Sequence, residues 1–299
     1  MPSRKQIERT DRDSRVYADA SASQPSAADA DVAYLVFDIE TAADAELVRR
    51  VRYPAGDLSP QQAVDAYRRE LHDKTGSDVL PTTFVRPVAV CVAKVTPDYR
   101  LLDVVAVDEP EYRPAKLTEG FWKGWRHYGR PMLVTYNGRG YDLPVLELSA
   151  FRIGLQLPDW FNLDARSFEQ NRNRYNTAAH LDLMDVLGNF GAARVDGGLN
   201  LLSHVLGKPG KSTLDGSMVE QYVRDGRLSE VNDYCRHDVL DTYFVFLRTR
   251  VLLGKLTLDE EQHRVAEVKA WLQRRAAGNE PGGEAFADYL KHWGDWKPS

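Results

Sequence analysis

The ten residues VAYLVFDIET (32–41) constrain the chain more than any others. Apolar and β-branched side chains fill a short run, the pattern of a strand buried on both faces. Yet the run ends on Asp38 and Glu40. Side chains in a strand alternate between faces, so both carboxylates leave the same one. A core strand that ends this way must deliver two negative charges to one place. Two acids about one pleat apart can share a divalent cation.

The rest of the composition narrows the setting. At 299 residues the chain is one large domain or two small ones. Hydrophobic residues are 43% and charged residues 28%, the composition of a globular protein. No apolar run reaches the ~18 residues that span a bilayer, so no membrane role is expected. A net charge of −5 argues against gripping nucleic acid by bulk positive potential, and leaves open a small, metal-neutralised site. Cys91 and Cys235 cannot form a four-cysteine zinc site; both lie in apolar runs and read as buried, reduced thiols of a cytoplasmic protein. Residues 1–30 are rich in Ser, Ala, Asp and Arg and read as a disordered leader. An α/β domain is expected over 31–254, with a C-terminal helix and tail over 255–299.

After the first strand, apolar spacing predicts two helices between 42 and 80, broken around Pro54–Gly56. Residues 84–95 and 101–108 read as an antiparallel strand pair, with Pro87 marking an edge or a bulge. A helix over 115–128 and a strand over 131–137 follow. A Gly-rich turn leads into a helix from about Tyr141 or Asp142 to Ile153, with Pro144 in its first turn. HLDLMDVL (180–187) reads as a short strand or helix start. Helices are expected over 198–207, 215–225, about 229–253 and 258–276, with a Trp-bearing tail beyond. Strands followed by strands alternating with helices indicate a mixed central sheet.

Two further motifs follow the first. In NGRGYD (137–142), Asn137 closes a strand, Gly138 and Gly140 permit the turn, and Asp142 opens a helix. In Tyr234-x-x-x-Asp238 the i, i+4 spacing puts phenol and carboxylate on one helix face. Singly, such matches are weak. Asp-x-Glu recurs at Asp44/Glu46 and Asp259/Glu261, and Tyr-x-x-x-Asp at Tyr53/Asp57 and Tyr99/Asp103. The decoys lack the context of strand end, strand-to-helix turn and helix, in that order.

With its three motifs the chain resembles the DEDD superfamily of 3′–5′ exonucleases, in the form found in the proofreading domain of family-B DNA polymerases. HLDLMDVL, GLNLLSHVLGKPGKS and YCRHDVLDTYFVF resemble the stand-alone predicted PolB-like exonucleases. The resemblance spans about 32–250 and implies an RNase H-like fold, a mixed sheet of about five strands flanked by helices. It implies metal-dependent hydrolysis of phosphodiester bonds at a single-stranded 3′ end of DNA, through two Mg²⁺ or Mn²⁺ ions. Asp38, Glu40, Asp142 and Asp238 would be the metal-binding carboxylates, with Asp142 acting through water. Tyr234 would orient the attacking water, since a phenol of pKa about 10 is a poor base at neutral pH. Thr41 resembles a position meeting the terminal nucleotide, and Asn137 one that binds the 3′ end, with a turn-capping amide as the alternative.

Other residues are candidates on chemistry alone. Tyr141 offers a ring near the final base, with core packing as the alternative. Arg139 and Lys211 offer cations to phosphates, with solvated loop positions as the alternative. The Arg/Asn/Tyr cluster 171–175 interleaves basic and aromatic groups. His180 and Asp185 match the His-x-x-x-x-Asp spacing of a DEDD variant, but that pairing leaves Tyr234 and Asp238 unexplained. An exoribonuclease or short-oligonucleotide hydrolase on the same site is a competing reading, as is a non-catalytic nucleic-acid-binding module.

Overall fold

A computed structural model describes residues 31–299 apart from 55, 57, 212–217, 279 and 299; the leader read over 1–30 lies outside the described residues. The central strand is β1 (Tyr34–Ala43), and α1 (Ala45–Arg52) and α2 (Pro60–Thr75) follow it. Next come β2 (Val85–Val95), β3 (Leu101–Ala106), α3 (Pro114–His127), β4 (Met132–Thr135) and α4 (Asp142–Ile153). A long loop leads to β5 (His180–Asp182), then α5 (Leu183–Leu187), α6 (Gly198–Val205) and α7 (Val219–Arg224). The chain ends with α8 (Leu228–Leu252), α9 (Leu258–Ala277) and α10 (Gly283–Lys291).

The five strands are ordered β3-β2-β1-β4-β5. β2 is antiparallel to both β1 and β3, while β4 is parallel to both β1 and β5. This mixed sheet flanked by helices is the RNase H-like architecture the motifs imply. The register of β1 and β2 slips where Glu40 faces Ala89 but Thr41 faces Pro87, leaving Val88 as the extra residue. Pro87 has no N–H to give a ladder, so the bulge falls there. β3 pairs with β2 only from Cys91 to Val95, so the proline end of β2 is unflanked on that side.

β1 alternates as its sequence requires. Leu35, Phe37 and Ile39 face one core, with Phe121, Trp122 and Trp125 of α3, Leu146 of α4 and Trp160. Phe37 and Phe121 meet at 4.7 Å between ring centres. Val36 faces the other core, with Val239, Leu240, Tyr243 and Phe244 of α8. Asp38 and Glu40 continue this second face, toward α8. α8 is buried along most of its length because it lies between the sheet and the C-terminal helices. Leu272 of α9 and Phe286 and Tyr289 of α10 belong to the same core cluster as the sheet. The boundary expected at residue 254 therefore coincides with no break in packing. The tail after 276 also contains α10, a helix the sequence reading did not anticipate.

Candidate active site

α8 packs against β1 at the first motif. The Cys235 thiol of α8 donates to the Asp38 carbonyl at 3.3 Å, and the Cys91 thiol of β2 donates to the Asn232 carbonyl at 3.4 Å. Both cysteines are free and buried, and together they pin the helix to the sheet beneath Asp38. One turn along α8 from Tyr234, Asp238 then faces the even side of β1. Ligand oxygens of Asp38, Glu40 and Asp238 all lie within 4.8 Å of one another. Among the described residues none of the three has an ion-pair partner.

Burial first, and then crowding of like charge, shows in the proton affinities at this end of the sheet. Asp38 is held well above the ordinary carboxylate range, first by desolvation and then by Asp142, Asp238 and Glu40. Glu40 is also held well above it, by desolvation and by Asp238 and Asp142, with Lys211 opposing. Asp238 is raised to about 6 by burial, opposed by Lys211 and Tyr234. Burial first, then Asp238, Glu40 and Asp38, keeps the Tyr234 phenol protonated far above its usual range. A phenol so disfavoured as an anion can donate or accept a hydrogen bond but cannot serve as a base near neutrality.

Asp142 enters from a third element. Thr135 ends β4, and the chain turns back through Asn137 at φ +65, a conformation asparagine tolerates better than most residues. A Cβ at Gly138 would run into the Thr135 side chain, so the turn requires glycine there. α4 then opens on Asp142, whose Oδ1 accepts from the Ile39 N–H at 3.1 Å. Asp142 thus sits on the β1 backbone between Asp38 and Glu40 in sequence, beside the three-carboxylate group rather than within it. Burial raises it to about 7, with the Ile39 N–H opposing and Asp182 and Asp238 adding to the rise.

The remaining candidates fall into two sets. Thr41 and Tyr141 share a 2.6 Å hydrogen bond between their hydroxyls, and with Glu40 they line one side of a cavity of about 450 Å³. Its far wall includes Arg68 of α2 and Glu220 of α7, joined by a 2.7 Å ion pair. By sequence Arg68 belongs with Arg49, Arg50, Arg52 and Arg69 to solvated helix faces, with guiding DNA as the alternative, whereas Glu220 did not stand out; the two are 152 positions apart. Lys211 is exposed, and its backbone N–H donates to Asn200 Oδ1 at 2.8 Å.

The second set holds the turn in place. Asp182 accepts from the N–H groups of Asn137 (2.9 Å), Arg139 (2.8 Å) and Met184 (3.0 Å), which makes it a clamp on the turn. The Arg139 guanidinium donates to Asp185 at 2.9 Å and to the His180 carbonyl at 3.1 Å, so its charge is already engaged. Arg174 also binds Asp185. His180 is fully buried against the Thr135 hydroxyl at 2.8 Å, and burial, with Arg139, lowers it to about 3. His180 and Asp185 therefore brace the β4–α4 turn and do not join the acidic group. In the 171–175 cluster, Arg172 pairs with Glu147, and exposed Tyr175 packs its ring 5.0 Å from Phe190.

Comparison with known proteins places the chain in a family. No curated protein matches the chain. Among solved structures, the family B DNA polymerase from the hyperthermophilic archaeon Pyrobaculum calidifontis is similar at 16% identity and a TM-score of 0.40. The similarity covers 86% of this chain and 27% of the polymerase, so this chain spans about a quarter of that protein's length. A family model for predicted 3′–5′ exonucleases related to the exonuclease domain of PolB matches residues 77–293. The match holds Asp142, Tyr234 and Asp238, and the fold adds Asp38 and Glu40 from β1, which precedes it. With well over half of its length matched, the chain belongs to this family of predicted PolB-related 3′–5′ exonucleases.

Proposed function

We propose that the protein is a metal-dependent 3′–5′ exonuclease that removes nucleotides from single-stranded DNA ends with two divalent cations. The observation that carries this reading is the convergence of Asp38, Glu40 and Asp238, from β1 and α8, with ligand oxygens within 4.8 Å. Carboxylates this close, desolvated and without ion-pair partners among the described residues, are hard donors suited to Mg²⁺ or Mn²⁺. Asp38, Glu40 and Asp238 would hold the cations, with Asp142 supporting them from the β1 backbone. When bound, divalent cations neutralise charge building on the phosphate and make a water nucleophilic at neutral pH.

The chain's own groups then have separate tasks. Tyr234, fixed as a neutral phenol, orients the attacking water by a hydrogen bond. Thr41 and Tyr141 hold each other beside Glu40 and present a hydroxyl pair and a ring to the terminal nucleotide. Asn137, exposed at the head of its turn, offers its amide to the 3′ end. Lys211 contributes a positive charge next to Glu40 and Asp238.

A direct test uses 5′-labelled single-stranded DNA and RNA with the purified protein, with and without Mn²⁺. A ladder of products shortening stepwise from the 3′ end, only with metal and faster on DNA, is expected. A faster ladder on RNA would reassign the substrate to ribonucleic acid. No shortening of either strand in Mn²⁺ would overturn the hydrolytic reading.

A further inference from the structure

Lys208 is almost out of water, at 4% exposure, and no carboxylate of the described residues lies within ion-pair distance of it. A buried ammonium persists only where something compensates its lost hydration. Here its Nζ donates to the Gly294 carbonyl at 3.1 Å and lies 3.9 Å from the centre of the Trp293 ring and 5.2 Å from that of Phe244. Two of the three compensating groups belong to the tail after α10. The tail also donates from the Gly294 N–H to the Gly207 carbonyl at 2.8 Å. Gly207 has φ +68, and a Cβ there would press on the Gly294 and Asp295 backbone at 3.0 Å.

The tail is itself seated on the helix that carries the acids. His237 Nε2 meets the Ala285 carbonyl at 2.7 Å, and the Tyr289 hydroxyl donates to Asp241 Oδ1 at 2.6 Å. Asp241 lies one turn beyond Asp238. The loop 207–211 leaves this seat with Pro209 and Gly210 buried and Lys211 exposed, and the Lys211 charge opposes the raised proton affinities of Glu40 and Asp238. Gly207 and Gly210, at φ +68 and +61, and Pro209 between them give this loop no regular ladder of its own. Its anchors are α6 on one side and the tail on the other.

We infer that the C-terminal segment 283–298 is a positioning element of the hydrolytic site, because its grip on Lys208 fixes the loop that delivers Lys211 to the carboxylates. Lys208 and Trp293 are positioning residues that touch neither substrate nor the reacting atoms. The inference rests on the hydrolytic reading, and Lys211 is the group through which it acts.

The test compares full-length Lys211→Ala, Lys208→Met, Trp293→Ala and Trp293→Phe, with Trp293→Ala also made in the Lys211→Ala background. Lys211→Ala should lower kcat/KM on single-stranded DNA in Mn²⁺ by about 10- to 100-fold. Lys208→Met and Trp293→Ala should each lower it about tenfold, Trp293→Phe should restore most of the rate, and Trp293→Ala should cost less than about twofold once Lys211 is gone. Hydrogen–deuterium exchange of residues 207–211 in the metal-free protein should rise in Lys208→Met and Trp293→Ala while β1 stays protected. A full tenfold loss from Trp293→Ala in the Lys211→Ala background would overturn the inference. So would unchanged exchange of the loop in Lys208→Met, the milder variant should Trp293→Ala not fold. If the wild type hydrolyses nothing while the loop loosens as expected, the hydrolytic reading fails and the structural grip stands.

Discussion

At the scale of single residues, the site is a set of acids whose folded-state proton affinities exceed their unfolded ones. Such a group binds its proton more tightly when folded, so its contribution to stability is full at low pH and falls as pH rises through the folded pKa. The window here runs from about pH 4 through about 6 for Asp238 and about 7 for Asp142 and Asp241, each raised mainly by burial. The difference in Tm between metal-free Asp238→Asn and wild type should therefore widen in favour of the variant from pH 5 to pH 8, reaching roughly 3 °C. The same variant should lose hydrolysis by roughly 10³-fold or more, because a carboxylate donor is gone. A constant Tm difference across that range would show that burial does not raise the proton affinity of Asp238. Mn²⁺ at about 100 times its Kd should raise the wild-type Tm by roughly 4 °C at pH 8, and by less at pH 5 where protons compete. Tyr234→Phe should reduce kcat by about 10- to 100-fold and leave that Mn²⁺ increment unchanged, since a phenol that orients water is not a ligand. Equal kcat in the variant would exclude the orienting role.

At the scale of elements, the motif positions depend on packing that a single sequence shows only in part. His180 illustrates the distinction between bracing and chemistry. His180→Ala should lower Tm, since it empties a buried site against Thr135, while kcat falls by no more than about threefold. A folded but inactive His180→Ala would favour the His-x-x-x-x-Asp alternative. The strands and helices from 34 to 277 were readable because their apolar periods are long and their boundaries carry Pro or Gly signals, as at Pro144 and Gly154. Pro87 even announced a bulge, although the structure places it in an internal strand opposite Thr41. What stayed hidden depended on partners far along the chain. Asp182 reads from the sequence as an acid that supports the ligands rather than joining them, and its three accepted N–H bonds show that what it supports is the turn. α10 went unread because its apolar residues follow a Gly- and Pro-rich stretch, although Phe286, Tyr289 and Trp293 keep helical spacing. Phe286→Ala should therefore destabilise the fold by about 3–5 kcal/mol, measured by denaturant unfolding, because its ring is fully buried between α9 and α8. A loss below about 1 kcal/mol would show that the C-terminal helices are dispensable to the core.

At the scale of the whole molecule, charge and architecture pull in different directions, and the site resolves the conflict. A chain of net charge −5 repels a polyanion at long range, so on the proposed hydrolytic reading attraction would come from cations held at one end of the sheet and from a few positive side chains. Most arginines near the site are already engaged: Arg139 and Arg174 with Asp185, Arg172 with Glu147, Arg68 with Glu220. Lys211 is the candidate cation whose charge acts on Glu40 and Asp238, so few phosphates would be neutralised by the protein itself. For single strands the logarithm of affinity falls with the logarithm of salt at about 0.7 per neutralised phosphate. With one or two such contacts, KM should rise by less than about tenfold between 50 and 200 mM salt, at saturating Mn²⁺. Lys211→Ala should flatten that dependence further, while a neutral change at Arg139 should leave it as it is. A rise of about 10³-fold over the same salt interval would instead require a basic track of about seven or more phosphate contacts, and the reading of this protein as one that holds its substrate by the terminus would have to give way.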